Sequence, residues 1–148
     1  MTDRGGLELP SLPCACASLR RAARAVTQLY DTGLRETGVP MTQFTLLQVL
    51  DRRGEVSQGD LGDVLALDSS TLTRTLQPLA SRSWIRSRTG DDKRVVYWSI
   101  TAAGKRTLER AKPAWESLQR RLRGRIGAER WTTLMADLTA VAESARDS

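Results

Sequence analysis

Between Asp68 and Ala80 the sequence DSSTLTRTLQPLA carries Ser69, Ser70, Thr71, Thr73, Arg74 and Gln77 among an inward stripe of Leu72, Leu76 and Leu79. Short hydroxyl side chains permit close approach to phosphates and base edges, and an arginine fork can bind a guanine edge with two parallel hydrogen bonds. The positive end of the helix dipole adds a place for an anion. Ser and Thr also gather at helix starts as caps and solvent-facing filler, so this segment alone does not decide its role. The next segment shifts the balance: Arg86, Arg88, Lys93 and Arg94 fall within nine residues around a Gly-Asp turn. A helix-turn-helix followed at once by a basic hairpin is a winged helix, whose wing reaches along a duplex backbone or into an adjacent minor groove.

Other chemistry is largely excluded. The 148 residues include no histidine, which removes Ser-His-Asp and Cys-His catalysis, the usual zinc enzymes and a histidine pH switch. Neither a GxxxxGK[ST] loop nor a GxGxxG turn is present. Asp91 and Asp92 are adjacent carboxylates on a Gly-bearing turn without further ligands, so they read as a solvated loop and no metal is assigned. The run Arg120, Arg121, Arg123, Arg125 suits a helix C-terminus. The chain is therefore expected to be no enzyme and to need no cofactor.

Net charge points to the kind of partner. With 23 Lys and Arg against 17 Asp and Glu the formal charge is +6, a balance that favours polyanions. Residues 1–51 hold five basic and five acidic groups, residues 52–110 eleven and seven, and residues 111–148 seven and five. The excess is thus largest in the segment that holds the hydroxyl-rich helix and the hairpin.

Cys14 and Cys16 are the only cysteines. Two residues apart in an extended stretch, they project to one side, where both thiolates could grip a soft ion or metalloid. A nearby helix N-terminus also favours thiol oxidation. Burial as small residues in an Ala-rich packing face is the competing reading. Cys-x-Cys spacing without a secretory framework reads as a reduced pair, and no apolar run approaches the roughly 18 residues of a membrane span. The expected location is the cytoplasm, with no membrane partner.

The elements that must position these residues follow from periodicity. Residues 1–13, with Gly5, Gly6, Pro10 and Pro13, read as a flexible arm. Leu19, Ala22, Ala23, Val26, Leu29, Tyr30 and Leu34 mark a long amphipathic helix stopped by Gly38 and Pro40. Thr42 is the expected N-cap of a short buried helix ending near Gly54; Ser57 with Asp60, then Asp68, cap two more. Alternating β-formers from Trp84 to Arg88 and from Arg94 to Ile100 flank the loop as a two-stranded hairpin. From Thr101, another expected N-cap, Leu108, Ala111, Trp115, Leu118 and Leu122 form a narrow seam, and a final helix carrying Trp131, Leu134, Leu138 and Val141 follows Gly124 and Gly127. Such seams are better used against a second subunit, so a homodimer is expected. The fold class is mainly α with a small β-hairpin wing. Residues 41–100 form the winged helix-turn-helix, and 14–37 with 101–146 form a helical dimerisation region.

This order of elements resembles the MarR family of bacterial transcriptional regulators over nearly all of residues 14–146. The closest matches are LDSSTLTRTLQPLASRSWI at 67–85 and the wing signature Asp92-Lys93-Arg94 leading into SITAAGKRTL. The resemblance implies a dimeric regulator, expected to be a repressor, on a palindromic operator in double-stranded DNA. It implies DNA contacts by Ser69, Ser70, Thr71, Thr73, Arg74 and Gln77, entry of Arg94 into the minor groove, and Asp92 bracing the wing by pairing with a nearby arginine. Release by a small-molecule effector, by cysteine oxidation or by a thiophilic metal is the expected regulation. The chain departs from the family at Gly62, where Ala is frequent, and at Pro78, which removes an amide late in the recognition helix. The alternative is a protein-interaction module whose basic wing docks an acidic partner.

Overall fold

The computed structural model describes residues 9–146; the first eight residues of the expected arm lie outside them. Residues 9–14 run without regular structure beside the first helix, where Arg21 Nη1 donates to the Pro10 carbonyl at 2.8 Å. Among the described residues no helix is long and apolar enough to cross a membrane.

Helix α1 (Ala15–Leu34) ends in a 3₁₀ turn (Arg35–Thr37) closed by Gly38 at φ 73°. Its last two turns bury Tyr30 and Leu34 against α5 (Ala102–Ile126). The Tyr30 hydroxyl donates to Gln119 Oε1, and burial raises the tyrosine pKa. Gly33 lets the two helices approach, because a Cβ there would fall 2.6 Å from Leu118 Cδ1.

Helix α2 (Met41–Arg53) begins one residue earlier than its expected cap. Pro40 takes the N-cap position and Thr42 lies inside the helix. The reason is tertiary: the Asp31 carboxylate of α1 accepts from the Met41 amide at 2.7 Å, which supplies the acceptor that Thr42 was expected to provide. Phe44, Leu46, Leu47 and Leu50 of α2 are fully buried, and the Phe44 ring stacks on Trp115 of α5 at 5.6 Å between centroids.

After Gly54 come a two-residue strand, β1 (Val56–Ser57), and α3 (Gln58–Leu65), with Ser57 Oγ accepting from the Asp60 amide at 3.1 Å. The departure at Gly62 has a local cause. A Cβ there would meet the Leu67 carbonyl at 3.2 Å, in the tight turn where Leu67 N donates back to the Gly62 carbonyl at 2.9 Å. Helix α4 (Ser69–Ser81) follows, buries Leu72, Leu76 and Leu79, and continues through Pro78 to Ser81. Strands β2 (Ile85–Thr89) and β3 (Val96–Ile100) form the hairpin. The sheet has three strands in the order β1-β3-β2, all antiparallel, with Val56 opposite Trp98 and Arg88 opposite Tyr97. A two-residue strand has too little pattern to be read from sequence, which is why only the hairpin was expected.

Helix α5 runs unbroken across Gly124 and ends at Gly127, φ 95°. Glycine inside a helix costs about 1 kcal/mol but does not stop it, so the expected break at Gly124 is not made. Helix α6 (Ala128–Arg146) buries none of its residues, and Leu134, Met135, Leu138 and Val141 are exposed along it.

At the start of α5 a Cβ on Gly104 would fall on the Trp84 carbonyl oxygen and 2.8 Å from Ile100 Cγ1. Gly104→Ala is expected to lower unfolding stability by about 2 kcal/mol through forced separation of α5 from β2. Gly59→Ala, in open space on α3, should raise it by about 0.5 to 1 kcal/mol. Urea titrations of both variants check the pair; equal midpoints would deny the close approach.

Candidate nucleic-acid interface

The start of α4 is built around one carboxylate. Asp68 Oδ1 accepts from the Thr71 amide at 2.8 Å and from the Ser70 hydroxyl at 2.7 Å, and Oδ2 accepts from the Thr71 hydroxyl at 2.8 Å. These bonds hold the Asp68 pKa far below the ordinary 3.8, the Thr71 amide contributing most and the Ser70 and Thr71 hydroxyls next. One turn on, the Thr73 hydroxyl donates to the Ser69 carbonyl at 2.8 Å, and Arg74 Nη2 donates to Thr71 Oγ1 at 3.4 Å. Ser69, Ser70, Thr73, Arg74 and Gln77 are exposed and Thr71 is half-buried.

This network sets what the helix surface can do. The hydroxyl protons of Ser70, Thr71 and Thr73 are already committed inside the helix, so toward an outside group these oxygens act as acceptors. Ser69, Arg74 and Gln77 remain as side-chain donors. A phosphate, which only accepts, would be met by those three; an exocyclic amine on a base edge suits the hydroxyls.

The second expected set lies on the hairpin. At its tip, Gly90 N donates to the Val95 carbonyl at 2.8 Å and Val95 N to the Asp92 carbonyl at 2.9 Å, closing the loop. Asp92 Oδ1 accepts from the Arg94 amide at 3.1 Å and from Arg94 Nε at 3.2 Å. The Arg94 amide and then its side chain lower the Asp92 pKa. Asp92 thus pairs with Arg94 itself, the residue expected to enter the groove, and the Arg94 side chain stays 90% exposed. Lys93 is exposed beside it. On the strand, Arg86 Nε donates to Ser99 Oγ at 3.3 Å, whereas Arg88 forms a two-pronged pair with Glu55, Nε to Oε2 at 2.8 Å and Nη2 to Oε1. Its guanidinium carbon lies 4.5 Å from the centre of the Tyr97 ring.

Sequence reasoning missed Glu55 and Tyr97, and missed Gln58, whose side-chain oxygen accepts from Trp98 Nε1 at 2.9 Å. Alternation along β3 pairs Tyr97 with Arg88, but only the three-strand register brings Glu55 near. Cys14 is the N-cap of α1 and Cys16 stands in its first turn; both are free and exposed, so the buried-cysteine alternative does not hold in the single chain. Among the described residues no group of three or more His, Cys, Asp or Glu is arranged to hold a metal ion.

A helix-turn-helix of α3 and α4, with α4 packed on β2 of a three-stranded wing sheet, defines a winged-helix protein. The MarR family model matches residues 39–96. A crystal structure of the transcriptional regulator MosR of M. tuberculosis in complex with DNA is 30% identical, with a TM-score of 0.82 over 90% of this chain and 97% of that one. The chain belongs to the MarR family. YdgJ of Bacillus subtilis, an uncharacterised HTH-type transcriptional regulator, is 30% identical over 94 residues, 63% of this chain and 57% of that protein. The chain spans little more than half the length of that curated relative. A MarR variant from E. coli complexed with operator DNA shares the fold, with 23% identity and a TM-score of 0.76 over 85% of this chain and 91% of that one. These named relatives are transcriptional regulators rather than enzymes.

The depressed Asp68 pKa has a defined pH consequence. A carboxyl titrating lower when folded contributes stability that is fully present above the ordinary aspartate value of 3.8 and is lost as pH falls toward the folded value. Wild type should therefore be more stable than Asp68→Asn, which keeps a good N-cap without the charge, at pH 7. The gap in urea midpoint should narrow steadily below about pH 4. A gap that is constant with pH would remove the charge from the cap.

Proposed function

We propose that the chain is a sequence-specific, DNA-binding transcriptional regulator, a repressor, that acts in the cytoplasm as a homodimer on a palindromic operator. The observation that carries this reading is the pairing of two exposed, polar and cationic elements on adjoining parts of one fold. Ser69, Arg74 and Gln77 crown α4, and Lys93 and Arg94 crown the hairpin that follows it after a short turn. Ser70, Thr71 and Thr73 supply acceptors to base edges, and Arg86 lies on the flank of the strand. The DNA complexes of MosR and of the E. coli MarR variant support the same assignment.

The homodimer is supported by the apolar residues left uncovered on α1 and α6. Leu19 and Val26 on the first and Leu134, Met135, Leu138 and Val141 on the second are exposed in a single chain, a pattern that fits an isologous helical interface. A twofold dimer would present two recognition helices about 10 base pairs apart, or a multiple of that. Release is assigned to a small-molecule effector, or to oxidation or soft-metal capture at Cys14 and Cys16. The cysteines stand at the start of α1, the helix that carries part of the proposed interface.

Gel-shift titration against the DNA upstream of the encoding gene, with random duplex as competitor, tests the reading. Saturable binding to one inverted repeat by a particle of twice the chain mass is expected. Equal retention of random duplex and of an acidic protein would favour a protein-docking module instead. Arg94→Ala should weaken binding to all sequences and flatten the plot of log affinity against log salt by about one unit. Arg74→Ala should instead relax base preference at one position per half-site, at roughly 1 to 3 kcal/mol.

Oxidant should release operator from the wild-type dimer but not from the Cys14→Ser, Cys16→Ser double variant. Identical release from both would end the sulfur assignment.

A further inference from the structure

We infer that Arg88 is a positioning residue of the wing and not a contact to the duplex: with Glu55 and Tyr97 it latches the hairpin to the end of α2. The distinction among the wing cations lies in where their partners are anchored. The partner of Arg94 is Asp92, two residues away in the same loop, so that pair moves with the tip and fixes nothing relative to the rest of the molecule. The partner of Arg88 is 33 residues away.

Glu55 follows directly on Gly54, the α2 C-cap at φ 74° whose amide donates to the Leu50 carbonyl at 2.9 Å. Helix α2 is itself fixed by four fully buried side chains and by the Phe44–Trp115 stack. The carboxylate is therefore carried by a rigid element, and the guanidinium by a strand of the hairpin.

The sheet has need of such a tie. A two-stranded hairpin is marginal alone, and the third strand contributes only the pairs Val56–Trp98 and Ser57–Tyr97. The Arg88–Glu55 pair spans the middle strand, with the Tyr97 ring beneath the guanidinium. Two prongs on one carboxylate and one face on an aromatic ring leave a planar fork little freedom to turn outward. A phosphate could take the Nε–Nη2 edge of the guanidinium only by displacing Glu55. The Arg88–Glu55 pair is neutral as a whole, so it should add nothing to the salt dependence of binding.

The experiment uses the full chain, a duplex selected by the wild type from a random-sequence library, and two readouts. Affinity across a salt series depends on the DNA-binding reading above; hydrogen exchange of the β2 and β3 amides does not. Glu55→Gln and Arg88→Gln should each weaken binding by about three- to fivefold, with the wild-type salt slope. Both should speed exchange in the hairpin and leave that of α2 and α5 unchanged. The reversed pair, Glu55→Arg with Arg88→Glu, should recover most of the affinity.

Tighter binding by Glu55→Gln, or a slope about one unit smaller in Arg88→Gln, would show a phosphate contact held in check and overturn the inference. Wild-type exchange rates in the hairpins of both single variants would overturn it equally. A wild-type chain that selects no duplex would instead remove the regulatory reading, with exchange still deciding the latch.

Discussion

The two peptide groups on either side of the Trp84 Cα are where four parts of the chain are fastened together. Ser83 stands at φ 58°, and this left-handed residue lets the Trp84 amide turn back to the Leu79 carbonyl at the end of α4, at 3.0 Å. The Trp84 carbonyl accepts from the Thr101 amide at 2.9 Å, and the Ser83 carbonyl accepts from the Thr101 hydroxyl at 2.6 Å. Thr101 Oγ also caps α5 by accepting from the Gly104 amide at 3.1 Å, and Gly104 leaves room for the Trp84 carbonyl to approach. The end of α4, the start of β2, the end of β3 and the start of α5 thus share one site. Arg82 adds a fifth tie, its guanidinium 4.7 Å from the Trp84 ring centre and donating to the Gly38 carbonyl at 3.1 Å. The direction of the hydroxyl-rich helix and the direction of the hairpin are consequently set by the same few atoms, rather than by two independent packings.

Away from that site the two elements are held by different means. At the start of α4 the Asp68 carboxylate spends its acceptors on its own helix, which orders Ser70 and Thr71 before any partner arrives. At the hairpin tip the ties are all local, two backbone hydrogen bonds that close the loop and the Asp92–Arg94 pair. A preorganised helix suits discrimination between base edges, because side chains already fixed lose little entropy on contact. An exposed cationic tip suits the phosphate backbone, where position matters less than charge. Under the regulatory reading proposed above, the two elements would meet different parts of a duplex.

How much of this could be read from sequence depended on the range of the interaction. The caps at Ser57, Asp68 and Thr101 were legible because a cap is a local event, a side chain reaching an amide three residues on. The inward leucines of α4 were legible from their period. Thr42 misled because the true acceptor, Asp31, lies on another helix, and Gly124 misled because an isolated glycine in open space weakens a helix without ending it. Strand β1 was too short to carry alternation. The meaning of Gly62 became visible only with the Leu67 carbonyl 3.2 Å from where its Cβ would be. The arginines of β2 were legible as cations but not as paired ones, since the register that brings Glu55 to Arg88 passes through a strand that the sequence did not announce.

The least supported part of the single chain is α6, and its composition argues about what must cover it. A 19-residue helix with no buried residue draws little from tertiary packing, which supplies most of the stability of helices in proteins. Leu134, Leu138 and Val141 recur at four and three residues, so the exposed apolar atoms lie on one face rather than around the cylinder. Its neighbour α5 offers Leu118 and Ala111 inward, toward α1 and α2, and leaves only its end near α6. The surface with the same need is α1, with Leu19 and Val26 uncovered on the helix that packs along α5. A second copy satisfies both faces at once, because twofold symmetry returns each stripe to its counterpart. The homodimer proposed above therefore rests on a deficit within the chain.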